Sequence, residues 1–272
     1  MEALGGFGCK ELMNSSNLGR GIDRSQQIDE IFIRSELLQG EESMNCIGEK
    51  RVIIFGVGGV GSWCAESLVR SGIKHLTIVD SDTVCASNIN RQAMATTTTI
   101  DKVKVEALKS KLLDINPKAN IISIQSIYSS ETRNSFHLEE FDFVIDAIDS
   151  LAHKAELILH ATTDLPDSVK FFSSMGAALK MDPMQIRTDE FWNVKGCPLA
   201  RALRQRFKRD HRFPKRKFRV VYSPELLPNK GTVHTQPTDT WSVQKAQING
   251  SMVHITAIFG FTLASMILRE CL

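Results

Sequence analysis

The glycine-rich stretch GVGGVG, at positions 56–61, constrains the fold of this chain more than any other feature. It follows an apolar run of strand length, RVIIFG, and it opens a segment, VGSWCAESLVRSG, whose apolar positions predict a helix. Glycines at such a junction let the backbone approach a phosphate, and the helix amino terminus offers free N–H groups. The strand–loop–helix context therefore predicts a nucleotide site rather than a ligand-free turn, with a G-x-G-x-x-G pattern at Gly56, Gly58 and Gly61.

An acidic residue stands where the ribose of such a nucleotide is expected. Asp80 ends the next strand-like run, HLTIVD, and lies 24 residues after Gly56. A carboxylate at this position can accept hydrogen bonds from ribose hydroxyl groups. Because the spacing matches that of nucleotide-binding βαβ units, Asp80 strengthens the prediction that the glycine loop holds a ligand.

Strands and helices alternate along the rest of the first two thirds of the chain. This alternation predicts an α/β fold of Rossmann-like type, with a mostly parallel sheet flanked by helices and a less regular C-terminal half that continues the same domain. We expect a flexible N-terminal segment at 1–27 and one domain at 28–272, divided into halves at 28–180 and 181–272. The predicted helices lie at 28–46 with a break at Gly40, 60–72, 101–117 and 151–164, and the predicted strands at 51–56, 75–80, 120–127, 141–149, 170–178, 185–192 and 218–223.

Bulk properties favour a cytoplasmic protein that does not enter a membrane. The net charge is only +2, and the six cysteines contain no C-x-x-C pair, so zinc-binding spacing is absent and a reduced compartment is favoured. The N-terminus lacks an apolar core of signal-peptide length. The most apolar stretch, 253–268, is too short to span a bilayer and predicts a buried strand-to-helix element.

Charged residues beyond the second strand favour ATP over a dinucleotide such as NAD. Arg91, in SNINRQ, and Lys104 both follow that strand, and two cations suit a triphosphate whose leaving pyrophosphate gathers charge. Asp146 and Asp149 stand at the carboxyl end of the fourth strand, where a carboxylate can hold Mg²⁺ against phosphate oxygens. Two plainer interpretations stay open: Lys104 could be a solvated helix lysine, and Asp149 with Ser150 could cap the next helix.

Five ordered motifs, GVGGVGSW, TIVDSDTV, SNINRQ, DKVKVEAL and DAIDS, resemble the adenylating domain of the family that contains ThiF, MoeB, HesA and the ubiquitin-activating enzymes. Members of that family use ATP and Mg²⁺ to convert a carboxylate to an acyl adenylate. The resemblance implies a homodimer, because an arginine ahead of the first strand reaches the partner's site in this family. The residues that it implicates are Gly58, Gly59 and Gly61 for phosphate, Asp80 for ribose, Asn88, Arg91 and Lys104 for the phosphates, Asp149 for magnesium, and Arg34 as the arginine supplied to the partner.

The second half of the chain resembles one branch of that family, the tRNA threonylcarbamoyladenosine dehydratases. The segments MGAALKMDPMQIRTDE, CPLARALRQRF and SMVHITAIFGFTLASMIL carry this likeness. It implies ATP-dependent cyclisation of N6-threonylcarbamoyladenosine in tRNA, and sulfur-transfer or desulfurase-type proteins are further expected partners. One alternative is an adenylyltransferase for the Gly-Gly tail of a ubiquitin-like sulfur carrier. Another is a nucleotide-sensing or tRNA-binding module without turnover.

A strongly basic segment, 195–219, supports a nucleic-acid partner. It holds eleven Lys or Arg residues against one acid, Asp210. Leu199, Leu203 and Phe207 recur every four residues, so one helix face can be buried while the basic residues face a polyanion. The residues predicted to contact tRNA phosphates are Arg201, Arg204, Lys208 and Arg209. The plainer interpretation is a solvated basic face.

Cys197 begins this basic helix, where a thiolate would be favoured, and some ubiquitin-activating relatives carry an acyl group on a cysteine. No partner base for it is identifiable in the sequence. We therefore expect Cys197 to be incidental and the reaction to need no covalent enzyme intermediate.

Overall fold

The computed structural model describes residues 30–231 and 249–272. The predicted flexible segment at 1–27 and Cys9 lie outside the described residues. Seven helices of seven or more residues and seven strands are present in the described part of the chain. The helices are α1 (Ile33–Gln39), α2 (Glu41–Glu49), α3 (Gly61–Arg70), α4 (Lys104–Ile115), α5 (Leu151–Thr163), α6 (Pro198–Arg209) and α7 (Val253–Leu268). The strands are β1 (Arg51–Phe55), β2 (His75–Val79), β3 (Asn120–Ile124), β4 (Phe143–Asp146), β5 (Lys170–Ser174), β6 (Arg187–Glu190) and β7 (Arg219–Tyr222).

All seven strands form one sheet in the order β3-β2-β1-β4-β5-β7-β6. Every neighbouring pair is parallel except β6 and β7, which run antiparallel at the edge. The chain order reverses between β1 and β4, so the loops after these two strands open a crevice at the carboxyl edge, where α/β sheets bind ligands. The predicted α/β class with a mostly parallel sheet is confirmed, and the sheet crosses from the first half of the chain into the second.

The sheet is covered on both faces, as the apolar strand runs predict. In β1, Val52 and Ile54 belong to one buried cluster and Ile53 and Phe55 to the other, which is the alternation of a strand between two layers. Helices α3, α4 and α7 contribute to the first cluster, and helices α5 and α6 contribute to the second. The core therefore consists of two layers that hold the carboxyl edge of the sheet rigid.

Three predicted strands end earlier than expected. Strand β3 stops at Ile124, β4 at Asp146 and β5 at Ser174, although the apolar patterns continued for three to four further residues. At these points the chain turns away from the neighbouring strands to form the loops at the carboxyl edge. The backbone groups of the following residues therefore make their hydrogen bonds outside the sheet. Helix α4 likewise begins late, at Lys104, because Asp101 takes a left-handed conformation with φ of 67°.

The apolar stretch near the C-terminus is one helix, which corrects the prediction of a strand-to-helix element. Helix α7 and the short turn after it, Val253–Cys271, are long and apolar enough to cross a membrane by length and composition, with a mean hydropathy of 1.3. Half of this segment is buried inside the protein. Gly260 lets α7 approach α3 closely, since a Cβ there would lie 2.5 Å from the carbonyl oxygen of Val60.

Candidate active site

The glycine loop lies between β1 and α3, and each of its glycines meets a different demand. Gly56 has φ of 85°, and a Cβ on Gly61 would lie 1.9 Å from the carbonyl oxygen of Gly56, so the fold itself excludes side chains at both positions. A Cβ on Gly59 would press against Thr256 at 3.2 Å. Gly58 differs, because the nearest atom to a Cβ there is the amide nitrogen of Gln92 at 3.9 Å. The open space at Gly58 is therefore where a ligand can approach the loop backbone.

Asp80 lies beneath this loop at the carboxyl end of β2. One carboxylate oxygen, Oδ2, accepts a hydrogen bond from the backbone N–H of Val57 at 2.8 Å, and Oδ1 accepts one from the N–H of Asp82 at 3.0 Å. Burial raises the pKa of Asp80, and the nearby ammonium of Lys104 opposes that shift. The carboxylate is thus fixed in orientation with acceptor capacity left over, as a ribose-binding residue requires.

Arg91 is half-buried beside the loop. Its guanidinium donates to the carbonyl oxygen of Ser87 at 2.8 Å and to Oδ1 of Asn90 at 2.9 Å. Burial lowers the pKa of Arg91, and the negative charge of Asp149 acts against that shift. The structure therefore brings Arg91 and Asp149 together at the carboxyl edge, although they come from loops on different strands.

Lys104 is buried, so the interpretation of it as a solvated helix lysine is wrong. Only 6% of the residue is exposed, and its ammonium lies 2.7 Å from Oδ2 of Asp82. The backbone N–H of Lys104 also donates to the carbonyl oxygen of Asp82 at 3.0 Å. Asp82, which sequence reasoning did not single out, therefore places this cation at the start of α4 and close to Asp80.

Two buried amides near Arg91 in the chain, Asn88 and Gln92, have different partners. Asn88 is buried, and its Oδ1 accepts a hydrogen bond from the backbone N–H of Cys85 at 3.1 Å, so it closes the turn that carries Arg91. Gln92 is also buried, yet its Oε1 has no hydrogen-bond partner in the described part of the chain. Its amide faces Gly58, which makes Gln92 a site residue that sequence reasoning missed although it stands in the quoted SNINRQ motif.

Asp146 and Asp149 differ in burial: Asp146 is buried and Asp149 is exposed. Asp146 is fully buried in an ion pair with Lys154 at 2.8 Å, and the hydroxyl of Ser173 donates to it at 2.7 Å. This contradicts the prediction that Asp146 could face a metal ion. Asp149 is exposed instead, and the helix-capping interpretation is weakened because Ser150, the N-cap of α5, makes no side-chain capping bond.

Arg34 lies on α1, and α1 packs against α2 ahead of β1. The side chain is exposed and makes no hydrogen bond or ion pair within the described residues. Leu37 and Leu38 on the same short helix are 82% and 83% exposed. No hydrogen bond or ion pair in the described part of the chain joins Arg34 to Arg91 or Lys104.

The basic helix is confirmed as α6, but its cations are not equivalent. Arg204 donates to the carbonyl oxygen of Phe191 at 3.2 Å and lies 5.6 Å from the centre of that ring, and Arg209 pairs with Asp210 at 2.9 Å. Arg201 and Lys208 are exposed and have no ion-pair partner among the residues described. The helix thus presents two uncommitted cations, while Arg204 packs against the protein.

Cys197 is the N-cap of α6 and is only 3% exposed. A buried thiol cannot meet a substrate acyl group without a rearrangement of the helix start. The described residues contain no cluster of three or more His, Cys, Asp or Glu side chains that could hold a metal ion.

The sequence pattern of the ThiF family matches residues 33–270, from the first helix to the turn after α7. The chain belongs to the ThiF family. The matched region includes the glycine loop, Asp80, Arg91, Lys104 and Asp149, so the residues of the candidate site lie within the family match.

Two ThiF-family relatives match most of this chain. It is 34% identical over 194 residues to the tRNA threonylcarbamoyladenosine dehydratase of Bacillus subtilis, covering 71% of this chain and 74% of that one. A crystal structure of the E. coli tRNA N6-threonylcarbamoyladenosine dehydratase in complex with ATP matches with a TM-score of 0.77 and 29% identity, covering 93% of this chain and 97% of that chain.

A second class of relative matches less. The molybdopterin-synthase adenylyltransferase of E. coli is 30% identical over 128 residues, which is 47% of this chain and 50% of that one. The likeness to the dehydratases thus extends into the C-terminal half, and this favours the dehydratase branch over the sulfur-carrier branch.

Proposed function

We propose that this ThiF-family chain is an ATP-dependent tRNA threonylcarbamoyladenosine dehydratase of the cytoplasm. The observation that carries the proposal is that Arg91, Asp80 and Lys104 lie around the glycine loop: Arg91 borders Gly59, Asp80 accepts from the N–H of Val57, and the charge of Lys104 acts on Asp80. Cations at that point suit a triphosphate better than a dinucleotide. The likeness to an ATP-bound dehydratase over nearly the whole chain supports the same conclusion.

The reaction joins two steps that conserve all atoms. The carboxylate oxygen of N6-threonylcarbamoyladenosine forms a bond to the α-phosphorus of ATP, and the bond from that phosphorus to pyrophosphate breaks. A nucleophilic atom of the carbamoyl group then forms a bond to the activated carbonyl carbon, the bond from that carbon to the phosphate oxygen breaks so that AMP leaves with the oxygen, and the proton of the carbamoyl group is released. Both steps move negative charge onto phosphate, so fixed cations beside the phosphates stabilise each leaving group.

Each site residue has a task that follows from its contacts. The N–H groups of Val57 and Asp82 hold the Asp80 carboxylate, which accepts from the ribose. Arg91 is half-buried, so its charge acts on phosphate with little screening by water. The ammonium of Lys104 lies 2.7 Å from Asp82, and it donates to phosphate by sharing its three N–H groups between that carboxylate and a phosphate oxygen. The amide nitrogen of Gln92 is the nearest atom to a Cβ on Gly58, and the buried Oε1 has no partner among the described residues, so this side chain borders the place where a ligand can approach.

Asp149 is the residue that would hold Mg²⁺. It is exposed at the carboxyl edge and interacts with Arg91, and one carboxylate with phosphate oxygens and water is the usual protein ligand set for this ion. When bound, the ion would neutralise charge on the phosphates. Asp146 has no part in this, because it stays buried against Lys154.

A homodimer in which Arg34 enters the partner's site accounts for the exposed position of that residue. Arg34→Ala and Arg91→Ala subunits should each be inactive alone. Mixed after dissociation, they should regain activity, because a heterodimer has one site with its own Arg91 and the other subunit's Arg34. Mixtures that stay inactive while dimers re-form would refute Arg34 as an arginine supplied in trans.

The exposed cations of α6 are the proposed contact with tRNA. Arg201→Ala with Lys208→Ala should weaken tRNA binding about tenfold or more at physiological salt and make the salt dependence shallower. Lys74→Ala, at another exposed lysine, is the control for loss of charge. Unchanged affinity in the double variant would move the tRNA site elsewhere.

The division into halves at 28–180 and 181–272 and the sulfur-transfer partners stay predictions.

The deciding experiment is AMP formation with purified components. AMP should appear with tRNA that carries N6-threonylcarbamoyladenosine, and nucleoside mass spectrometry should show the cyclic product. Arg91→Ala should abolish both. AMP or pyrophosphate exchange that responds to a ubiquitin-like carrier protein and ignores tRNA would favour the adenylyltransferase alternative. Tight tRNA binding without turnover would favour the non-enzymatic module.

A further inference from the structure

The backbone of Arg91 is held by a side chain from outside its own loop. The indole N–H of Trp63, the third residue of α3, donates to the carbonyl oxygen of Arg91 at 2.9 Å. The other donor near that oxygen is the hydroxyl of Thr256 at 3.4 Å, and its single proton is shared with the carbonyls of Met252 and Val253. Trp63 therefore makes the main hydrogen bond to this carbonyl.

Trp63 belongs to a connection between the glycine loop and the loop that carries Arg91. Its neighbour Ser62 donates to the carbonyl oxygen of Gly58 at 2.6 Å and accepts from the N–H of Ala93 at 3.1 Å. Two consecutive residues of the first turn of α3 thus bind both the open glycine and the segment around Arg91. Helix α3 therefore fixes the distance between the backbone of Gly58 and that of Arg91.

The indole itself is held on two sides. Phe261 of α7 meets it edge to face, with ring centres 6.0 Å apart, and the ammonium of Lys111 lies 5.5 Å from the ring centre. Lys111 is fixed in turn by Glu66 at 2.9 Å and by the carbonyl oxygen of Ala93 at 2.7 Å. A ring confined in this way gives its N–H one direction, toward Arg91.

We propose that Trp63 is a positioning residue for the reaction, which sets Arg91 against the phosphates through the indole N–H bond to the Arg91 carbonyl. The proposal rests on the proposed function of Arg91. The hydrogen bonds of the guanidinium in the described part of the chain go to Ser87 and Asn90 of its own loop, and Asp149 acts on it by charge, so the place of that loop helps to decide where the cation acts. A cation displaced by a fraction of an ångström stabilises a leaving phosphate less well.

The test is a double-mutant cycle. Trp63→Phe keeps an aromatic ring against Phe261 and removes the N–H together with part of the indole, a loss of ring size that the control below shares. It should slow AMP formation roughly 3- to 10-fold, the range of one hydrogen bond. In an Arg91→Ala background the same change should cost less than about 2-fold, because residues that act through one another are non-additive. Because Arg91→Ala by itself should abolish AMP formation, the cycle is measured as ATP affinity by calorimetry in both backgrounds.

Trp192→Phe is the matched control. Trp192 packs on Phe191, and its indole N–H makes no hydrogen bond to a described residue, so this change should leave AMP formation within about 2-fold of wild type. Thermal unfolding of Trp63→Phe should stay within about 3 °C of the wild type, which separates positioning from loss of fold.

An equal loss of ATP affinity on Trp63→Phe in both backgrounds would overturn the proposal and make the bond merely structural. No slowing in the wild-type background would overturn it as well. Failure of the proposed function looks different, because Arg91→Ala by itself would then leave AMP formation intact.

Discussion

Among the contacts behind the site, the buried ion pair between Asp146 and Lys154 should be the one whose loss lowers the stability of the protein most. Both side chains are 0% exposed, and their charged atoms are 2.8 Å apart. Lys154 also donates to the carbonyl oxygen of Ile148 at 2.9 Å, and Asp146 accepts from the N–H of Ile148 at 3.0 Å. The pair thus fixes the loop that leads to Asp149.

Lys154→Met keeps the approximate volume and leaves a buried carboxyl group without its cation. Removing one partner of a buried pair costs about 3–5 kcal/mol of unfolding free energy. Two donors to Asp146 remain, from Ser173 and Ile148, so we expect the lower end, about 3 kcal/mol, in urea unfolding at pH 7. Lys170→Met, at an exposed lysine in β5, should change stability by less than about 0.5 kcal/mol.

The loss should also depend on pH in a defined direction. Burial already raises the pKa of Asp146, and Lys154 opposes that rise, so its removal raises the pKa further. An acid whose pKa is higher in the folded state favours folding when protonated, and it loses that contribution as pH rises through the folded pKa. The deficit of Lys154→Met should therefore shrink as pH falls from 7 toward 5. A deficit below about 1 kcal/mol at pH 7, or one that stays constant with pH, would refute this reasoning.

Three further outcomes test the site. Gly61→Ala should destabilise the protein by more than about 2 kcal/mol, because its Cβ would lie 1.9 Å from the carbonyl of Gly56, whereas Gly58→Ala should stay within about 1 kcal/mol in urea unfolding and weaken ATP binding in calorimetry. ATP affinity should fall on acidification, because burial raises the pKa of Asp80 and the ribose contact needs the carboxylate. Asp80→Asn should bind ATP weakly, and its affinity should not change with pH. A wild-type affinity that is independent of pH would contradict this. Cys197→Ala should retain product formation, and loss of activity in a folded variant would revive a covalent intermediate.

The sequence was informative wherever local chemistry has few solutions. Few folds other than a nucleotide-binding βαβ unit combine a strand, three spaced glycines, a helix and an acid 24 residues after Gly56. The alternation of apolar runs with helices likewise predicts a parallel sheet. Helix α6 was equally predictable, since Leu203 and Phe207 recur at helical spacing and are both buried. Element ends were less predictable, because apolar residues continue past the point where strand pairing stops.

Contacts between distant residues were decided only by the tertiary structure. The sequence treats Asp146 and Asp149 alike, and only the fold places Lys154 against the first and Arg91 beside the second. The sequence predicts Lys104 as a phosphate-binding cation but leaves a solvated helix lysine open, and only the fold places Asp82 2.7 Å from its ammonium. Which of two similar charges is buried, paired or open to a ligand depends on what crosses it from another strand or helix, and local sequence does not contain that information. The bond from Trp63 to Arg91, between residues 28 apart in the chain, is of the same kind.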